Sequence, residues 1–206
     1  SIAVRHTVGL ADAITAGDLR QPVNDGLPET LEDVVRVYGH QWFKLKVGGQ
    51  VEADLARLEA IAALLDRSAH PYLVSLDGNE QYDSGQAVQA LVEGIRARPS
   101  LARMWQAVAF IEQPITRHHA LDVAINARAL QRPVIIDESD GELDSFEQAR
   151  ERGYSGVSSK TCKGIYKSLL NAARCAAWNR EAGAAGRYFM SAEDLTTQAG
   201  LAVQQD

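Results

Sequence analysis

Short apolar runs rich in β-branched residues alternate along this chain with longer stretches whose apolar positions recur at helical spacing. The runs Ile2 to Val8, Trp42 to Val47, Tyr72 to Asp77, Val108 to Glu112, Val134 to Asp137, Gly156 to Lys160 and Arg187 to Ser191 predict seven strands. Between them, Val51, Leu55, Leu58, Ile61 and Leu65 share one helical face, as do Val88, Leu91, Val92 and Ile95. Further helices are predicted at about 30–39, 117–130, 144–152 and 165–181, the first opened by Thr30 as a cap with Asp33 three residues on. Strict alternation of strand and helix predicts parallel strands joined by crossover helices. That leaves two architectures, an open doubly wound sheet and a (β/α)8 barrel, which periodicity alone does not separate. The first strand opens SIAVRHTVGLADA, without GxGxxG, so the nucleotide-binding open sheet loses its best sign.

The polar residues decide between the two. Strands two to six each run from an apolar stretch into a lysine or carboxylate: WFKLK at Lys44 and Lys46, YLVSLD at Asp77, VAFIE at Glu112, PVIID at Asp137, and GVSSK at Lys160. In a parallel barrel the C-terminal strand ends converge on one mouth, so residues far apart in sequence meet in space. The steps from Asp77 to Glu112 to Asp137 to Lys160 are 35, 25 and 23 residues, each about the length of one βα unit. No low-complexity stretch and no Pro/Gly-rich linker divides the chain, so residues 1–206 read as one barrel domain of about seven βα units.

Composition narrows the partners. The 206 residues are 46% hydrophobic and 23% charged, an ordinary globular balance. A net charge of −6 without a basic stripe argues against nucleic acid and against an anionic membrane surface, and leaves small molecules. No apolar run reaches the length of a membrane span and the first residues lack a signal-peptide pattern. Cys162 and Cys175 make neither a disulfide framework nor a CxxC site, which fits a reducing, cytoplasmic setting.

The runs FKLKVGG, LDGNEQY, FIEQP, IIDES and SSKTCKG resemble, in order and context, the barrel-strand motifs of the enolase superfamily, and within it the muconate lactonizing enzyme subgroup. The resemblance extends over nearly the whole chain. It implies a modified enolase-type (β/α)8 TIM barrel in which Asp77, Glu112 and Asp137 bind Mg2+, or Mn2+ in its place. It also implies that Lys44 and Lys46 are the KxK pair after the second strand and Lys160 the lysine after the sixth. The mandelate racemase subgroup would instead carry an aspartate after strand six and a histidine after strand seven, where this chain has Lys160 and the stretch YFMSAEDL. Two departures stand out. Gly164-Ile165 replaces the Gly-Gly common in the subgroup, and the N-terminal capping domain and the last strand are missing from the sequence. The chain would end inside the seventh helix, at VQQD, as an incomplete barrel with unpaired edges on its outer strands, poorly soluble or inactive alone. The resemblance also implies a homo-oligomer for the full-length protein.

The chemistry of such a site calls for these residue types. A hydrogen α to a carboxylate is a weak acid, and its removal leaves a dianionic enediolate that concentrated positive charge must stabilise. Mg2+ is a hard cation that prefers oxygen ligands and keeps positions for water and substrate oxygens. A lysine base must be neutral near pH 7, a state that a second nearby cation favours; enolase-superfamily sites are a standard instance of a lysine base with Mg2+. Residues two apart in a strand point the same way, so Lys44 and Lys46 face the interior and Leu45 the helices. Lys160 would approach a small carboxylate substrate from the opposite side.

Two opposed bases permit racemisation or epimerisation, and equally cycloisomerisation. A lyase, such as an acid-sugar dehydratase or a succinylbenzoate-synthase type enzyme, uses the same parts. A non-catalytic barrel fragment is the reading from another class. A lone lysine or carboxylate at a strand end is usually a solvated loop residue; six together in this context point to a site. Asn79 and Glu138 are expected to back the ligands rather than touch the metal, Glu138 because alternation turns it away from Asp137. His118, His119, Cys162, Lys163 and Lys167 are assigned to loop, surface or scaffold, and Trp42 to the core.

Overall fold

The computed structural model describes residues 4–193. Seven strands lie in a single parallel sheet in chain order: β1 (His6–Val8), β2 (Trp42–Lys46), β3 (Leu73–Asp77), β4 (Val108–Glu112), β5 (Val134–Ile136), β6 (Gly156–Lys160) and β7 (Phe189–Glu193). Consecutive parallel neighbours demand a crossover at every step, which α1 (Leu31–Tyr38), α2 (Val51–Leu65), α3 (Gly85–Ala97), α4 (Ala102–Ala107), α5 (Arg117–Ala120), α6 (Ala127–Leu130), α7 (Ser145–Glu151) and α8 (Ile165–Glu181) supply. The result is a partial enolase-type TIM barrel whose described residues provide seven strands, with β1 and β7 at the edges. The seventh helix expected near VQQD falls outside the described residues.

Alternation along the strands sorts side chains between two environments. Phe43 and Leu45 of β2, Val74 and Leu76 of β3, and Ile111 of β4 are buried in one cluster with Leu55, Leu58 and Ile61 of α2 and Val88 and Leu91 of α3. The alternate positions carry Lys44, Lys46, Ser75, Asp77 and Glu112. The register sets Lys46 beside Asp77, Asp77 beside Glu112, and Lys160 beside Glu193, so the charged groups form one layer at the C-terminal ends. Thr30 caps α1 as its sequence predicts, its hydroxyl accepting from the Asp33 N–H at 3.0 Å.

Three elements differ from the sequence expectation. The single helix expected over 117–130 is broken into α5 and α6, because the Ile125 N–H donates to the Arg152 carbonyl at 2.7 Å, a tertiary bond that a continuous helix would forbid. The six-residue α4 is too short to show a periodicity of its own. Finally, β7 runs to Glu193 rather than from Arg187 to Ser191. The Asn179 side chain takes both the N–H and the carbonyl of Tyr188, at 2.8 Å each, and so holds that residue out of the ladder.

Candidate metal and proton-transfer site

Four carboxylates and three lysines project into the mouth from β2 to β7. Lys44, only 2% exposed, places its Nζ 2.8 Å from Asp77 Oδ2, 3.2 Å from Glu112 Oε2 and 2.8 Å from Glu193 Oε2. Lys46 sits one layer higher with Nζ 2.5 Å from Asp77 Oδ2. On the far flank Lys160 Nζ lies 2.6 Å from Asp137 Oδ2 and 3.2 Å from Glu193 Oε2. Strand order therefore puts Lys46 with Asp77 on one side of Glu112, and Lys160 with Asp137 on the other.

Burial alone would pull the Lys44 ammonium towards neutrality, yet the Glu112 and Asp77 carboxylates outweigh it and hold the lysine firmly charged. Lys160 behaves likewise: burial opposes its charge, and Asp137 and Glu193 more than restore it. Glu112 has the opposite problem. Buried among Asp77, Asp137 and Glu193, its carboxyl is pushed up to about 7 by desolvation and like charge, against the pull of Lys44. Glu112 Oε1 is buried with no donor among the described residues, while Glu112 Oε2 and Asp137 Oδ2 face the Lys44 and Lys160 ammonium groups at 3.2 and 2.6 Å. One oxygen from each of Glu112, Asp137 and Glu193 lies within 4.8 Å of the others. Buried carboxylates crowded this closely, with only basic side chains to balance them, suit a hard divalent cation, so these residues fit Mg2+ or Mn2+. Asp77 stands beside this group, its Oδ2 shared by the two lysines of β2.

The two backing residues meet each other. The Asn79 amide donates to Glu138 Oε1 at 3.0 Å, and its backbone N–H donates to Asp77 Oδ1 at 3.0 Å. Glu138 is turned from the acid cluster towards Asn79, while burial and then Asp137 raise its carboxyl. Backbone strain concentrates here. Asn79, Glu80 and Gln113 have φ of 39°, 67° and 30°, a region that costs a non-glycine residue about 1–3 kcal/mol.

Several participants escape the sequence reading. Glu193 obeys the same strand-end rule as the other acids and is missed only because β7 ends two residues later than its apolar run indicates. Lys163, expected in the scaffold or at the surface, turns inward and donates to Asp137 Oδ1 at 3.0 Å, the Asp137 carbonyl at 2.7 Å and the Ser158 carbonyl at 2.8 Å. Arg5 lies inside the barrel beneath the acids, donating to Ser75 and Ser191 at 2.7 and 2.9 Å, with its Nη1 3.9 Å from Glu112 Oε2. The sequence puts Arg5 within a strand over Ile2 to Val8, but β1 begins at His6, so no strand-end pattern announces Arg5.

Comparison with known proteins bears on the same elements. The chain is similar in structure to a mandelate racemase/muconate lactonizing protein from Herpetosiphon aurantiacus, at 21% identity and a TM-score of 0.65, over 81% of this chain and 43% of that one. It is similar to muconate cycloisomerase from Pseudomonas fluorescens at 28% identity and TM-score 0.55, over 70% of this chain and 38% of the other. It is also similar to a dipeptide epimerase from Enterococcus faecalis at 22% identity and TM-score 0.56, over 79% and 42%. The chain thus spans about two fifths of the length of these structures. No curated protein gives a significant match. The family model described as enolase C-terminal domain-like matches residues 26–204, and the chain belongs to that family.

Proposed function

We propose that this chain carries the metal-dependent proton-transfer centre of an isomerase acting on a small carboxylate, as a cycloisomerase, racemase or epimerase. The observation that supports it most is the placing of Lys46 and Lys160 on opposite flanks of a cluster of buried, crowded carboxylates. Asp77, Glu112 and Asp137 would hold Mg2+ or Mn2+, with Glu193 close enough to join them or to anchor the lysines. A bound divalent ion supplies the positive charge that stabilises the electron density gathered on the substrate carboxylate. The residues do the rest. In one direction Lys46 takes the α-proton onto Nζ while the C–H electron pair moves into the adjoining carboxylate; Lys160, as an ammonium, returns a proton to carbon from the other face. Lys44 stays charged and orients Asp77 and Glu193.

Muconate and dipeptides, the substrates named for two similar enzymes, are the first to try. The test is α-proton exchange followed by NMR in D2O with the intact protein. Deuterium should enter at the α-carbon only with Mg2+ or Mn2+ present, and Asp77→Asn should lose metal affinity and exchange together. Exchange that persists at full rate after chelation would overturn the proposal. Net loss of water from the substrate would move the enzyme into the lyase class.

A further inference from the structure

The metal-binding reading assigns roles to Glu112 and Asp137 but leaves open what sets the distance and angle between them. The residue between them in the hydrogen-bond network is Gln113. It is fully buried, and its backbone is held at φ 30°, in the left-handed region. Its Oε1 accepts two backbone N–H groups, from Asp137 at 2.7 Å and from Ser139 at 3.0 Å. Its Nε2 donates to the Ile115 carbonyl at 2.8 Å and to Ser139 Oγ at 2.7 Å. Its own backbone carbonyl accepts from the Glu80 N–H at 2.9 Å, and its own N–H donates to Ile135 at 2.9 Å.

Through its side chain and its own N–H and carbonyl, this one residue therefore touches the exits of β3, β4 and β5, the three strands that carry Asp77, Glu112 and Asp137. Two features show that the fold invests in this arrangement. An amide that uses both donor hydrogens and receives two N–H groups on its oxygen is saturated, which is demanding for a completely buried side chain. Its backbone conformation is one that a residue with a Cβ avoids unless its surroundings over-determine it. A core residue needed only for packing would require neither.

We propose that Gln113 is a positioning residue for the divalent-metal centre: it fixes the start of the loop after β5, and hence the Asp137 carboxylate, relative to Glu112 on the adjoining residue. The inference rests on the metal-binding reading above. The two bonds into Oε1 hold the Asp137 and Ser139 amides, so the backbone that aims the Asp137 side chain cannot rotate without breaking them. Groups that orient metal ligands through hydrogen bonds commonly govern affinity by 10- to 100-fold, without touching the ion.

The probe is Mn2+, with dissociation constants read by electron paramagnetic resonance or calorimetry on the intact protein well below its unfolding temperature. Gln113→Met keeps the volume and removes all four side-chain bonds; its Mn2+ affinity should fall by roughly 10- to 100-fold. Gln113→Glu keeps an oxygen facing the Asp137 and Ser139 N–H groups and, with its second oxygen protonated to donate to the Ile115 carbonyl, should stay within about threefold of the unchanged protein, by the same positioning logic. That split is something a purely structural role would not produce. If Gln113→Met binds Mn2+ as tightly as the unchanged protein, or if both variants lose affinity equally, the inference is overturned while the metal site stands. Should Gln113→Met fail to fold, Gln113→Asn, whose shorter side chain draws the amide oxygen away from the Asp137 and Ser139 N–H groups, takes its place: a loss of roughly tenfold or more supports the role, and unchanged affinity overturns it. No Mn2+ uptake by the unchanged protein would overturn the metal-binding reading, and this inference with it.

Discussion

Removing a single hydroxyl, Tyr82→Phe, should cost this fold a measurable part of its stability. Tyr82 is 1% exposed and donates to Asp54 Oδ2 at 2.8 Å, while Asp54 Oδ1 accepts the Gly48 N–H at 2.6 Å. The pair ties the loop after β2, which follows the two lysines, to the loop after β3, which follows Asp77. Burial, and then Asp54, push the Tyr82 hydroxyl well above the usual phenol range, so it remains a donor at any working pH. A hydrogen bond to a charged group contributes about 1.5–3 kcal/mol, and the variant leaves a buried carboxylate oxygen with no donor, so the upper part of that range applies. A loss of roughly 2–3 kcal/mol is a shift of roughly 30- to 150-fold in the folding equilibrium. It lowers the melting temperature by about 4–12 °C for a chain of this size. The assay is urea unfolding followed by circular dichroism, where the midpoint should fall with the slope unchanged. Tyr154→Phe is the internal control. Tyr154 is equally buried, but its hydroxyl has no partner among the described residues, so its removal should be neutral or stabilising. The reasoning fails if Tyr82→Phe costs under about 0.5 kcal/mol, or if the two variants cost the same.

Gly49→Ala should destabilise by more than about 2 kcal/mol, because Gly49 has φ 81° and an added Cβ would press into the Gln81 carbonyl oxygen; thermal unfolding checks it, and a wild-type melting curve would refute the clash. For the lysines, Lys160→Ala should abolish epimer turnover yet leave deuterium exchange into the isomer that faces Lys46, and Lys46→Ala should give the mirror result. Full activity in both variants with an authentic substrate would remove them from the mechanism. Acid stability offers a fourth check. The Arg117 guanidinium holds the Glu80 carboxyl below the usual carboxylate range. A depressed folded pKa contributes stability that is present above the unfolded value, about 4.3, and is lost as pH falls through the folded one. Glu80→Gln should therefore flatten the acid limb of the stability profile below about pH 4.3, and an unaltered limb would show that the exposed pair contributes nothing.

By itself the sequence determined the seven parallel strands, most helix faces and six of the charged groups at the mouth. All of these follow from local periodicity and from the rule that strand ends in a parallel barrel converge. Lys44, Leu45 and Lys46 are legible as in, out and in because the strand period is two, whatever lies around them. Only the tertiary structure decided where β7 begins and ends: Asn179, ten residues before the strand, withholds Tyr188 from the ladder, and pairing with β6 carries the strand on to Glu193 opposite Lys160. That extension brings Glu193 between Lys44 and Lys160. Tertiary contacts also turned Lys163 inward onto Asp137 and drew Arg5 under Glu112. The same holds for Gln113, which in sequence is one more polar residue beside a proline and in space the link among three loops. The physical reason is common to all of them. A hydrogen bond or ion pair between residues distant in sequence depends on where the folded backbone brings its partner, and no local pattern of hydrophobic and polar residues encodes that position.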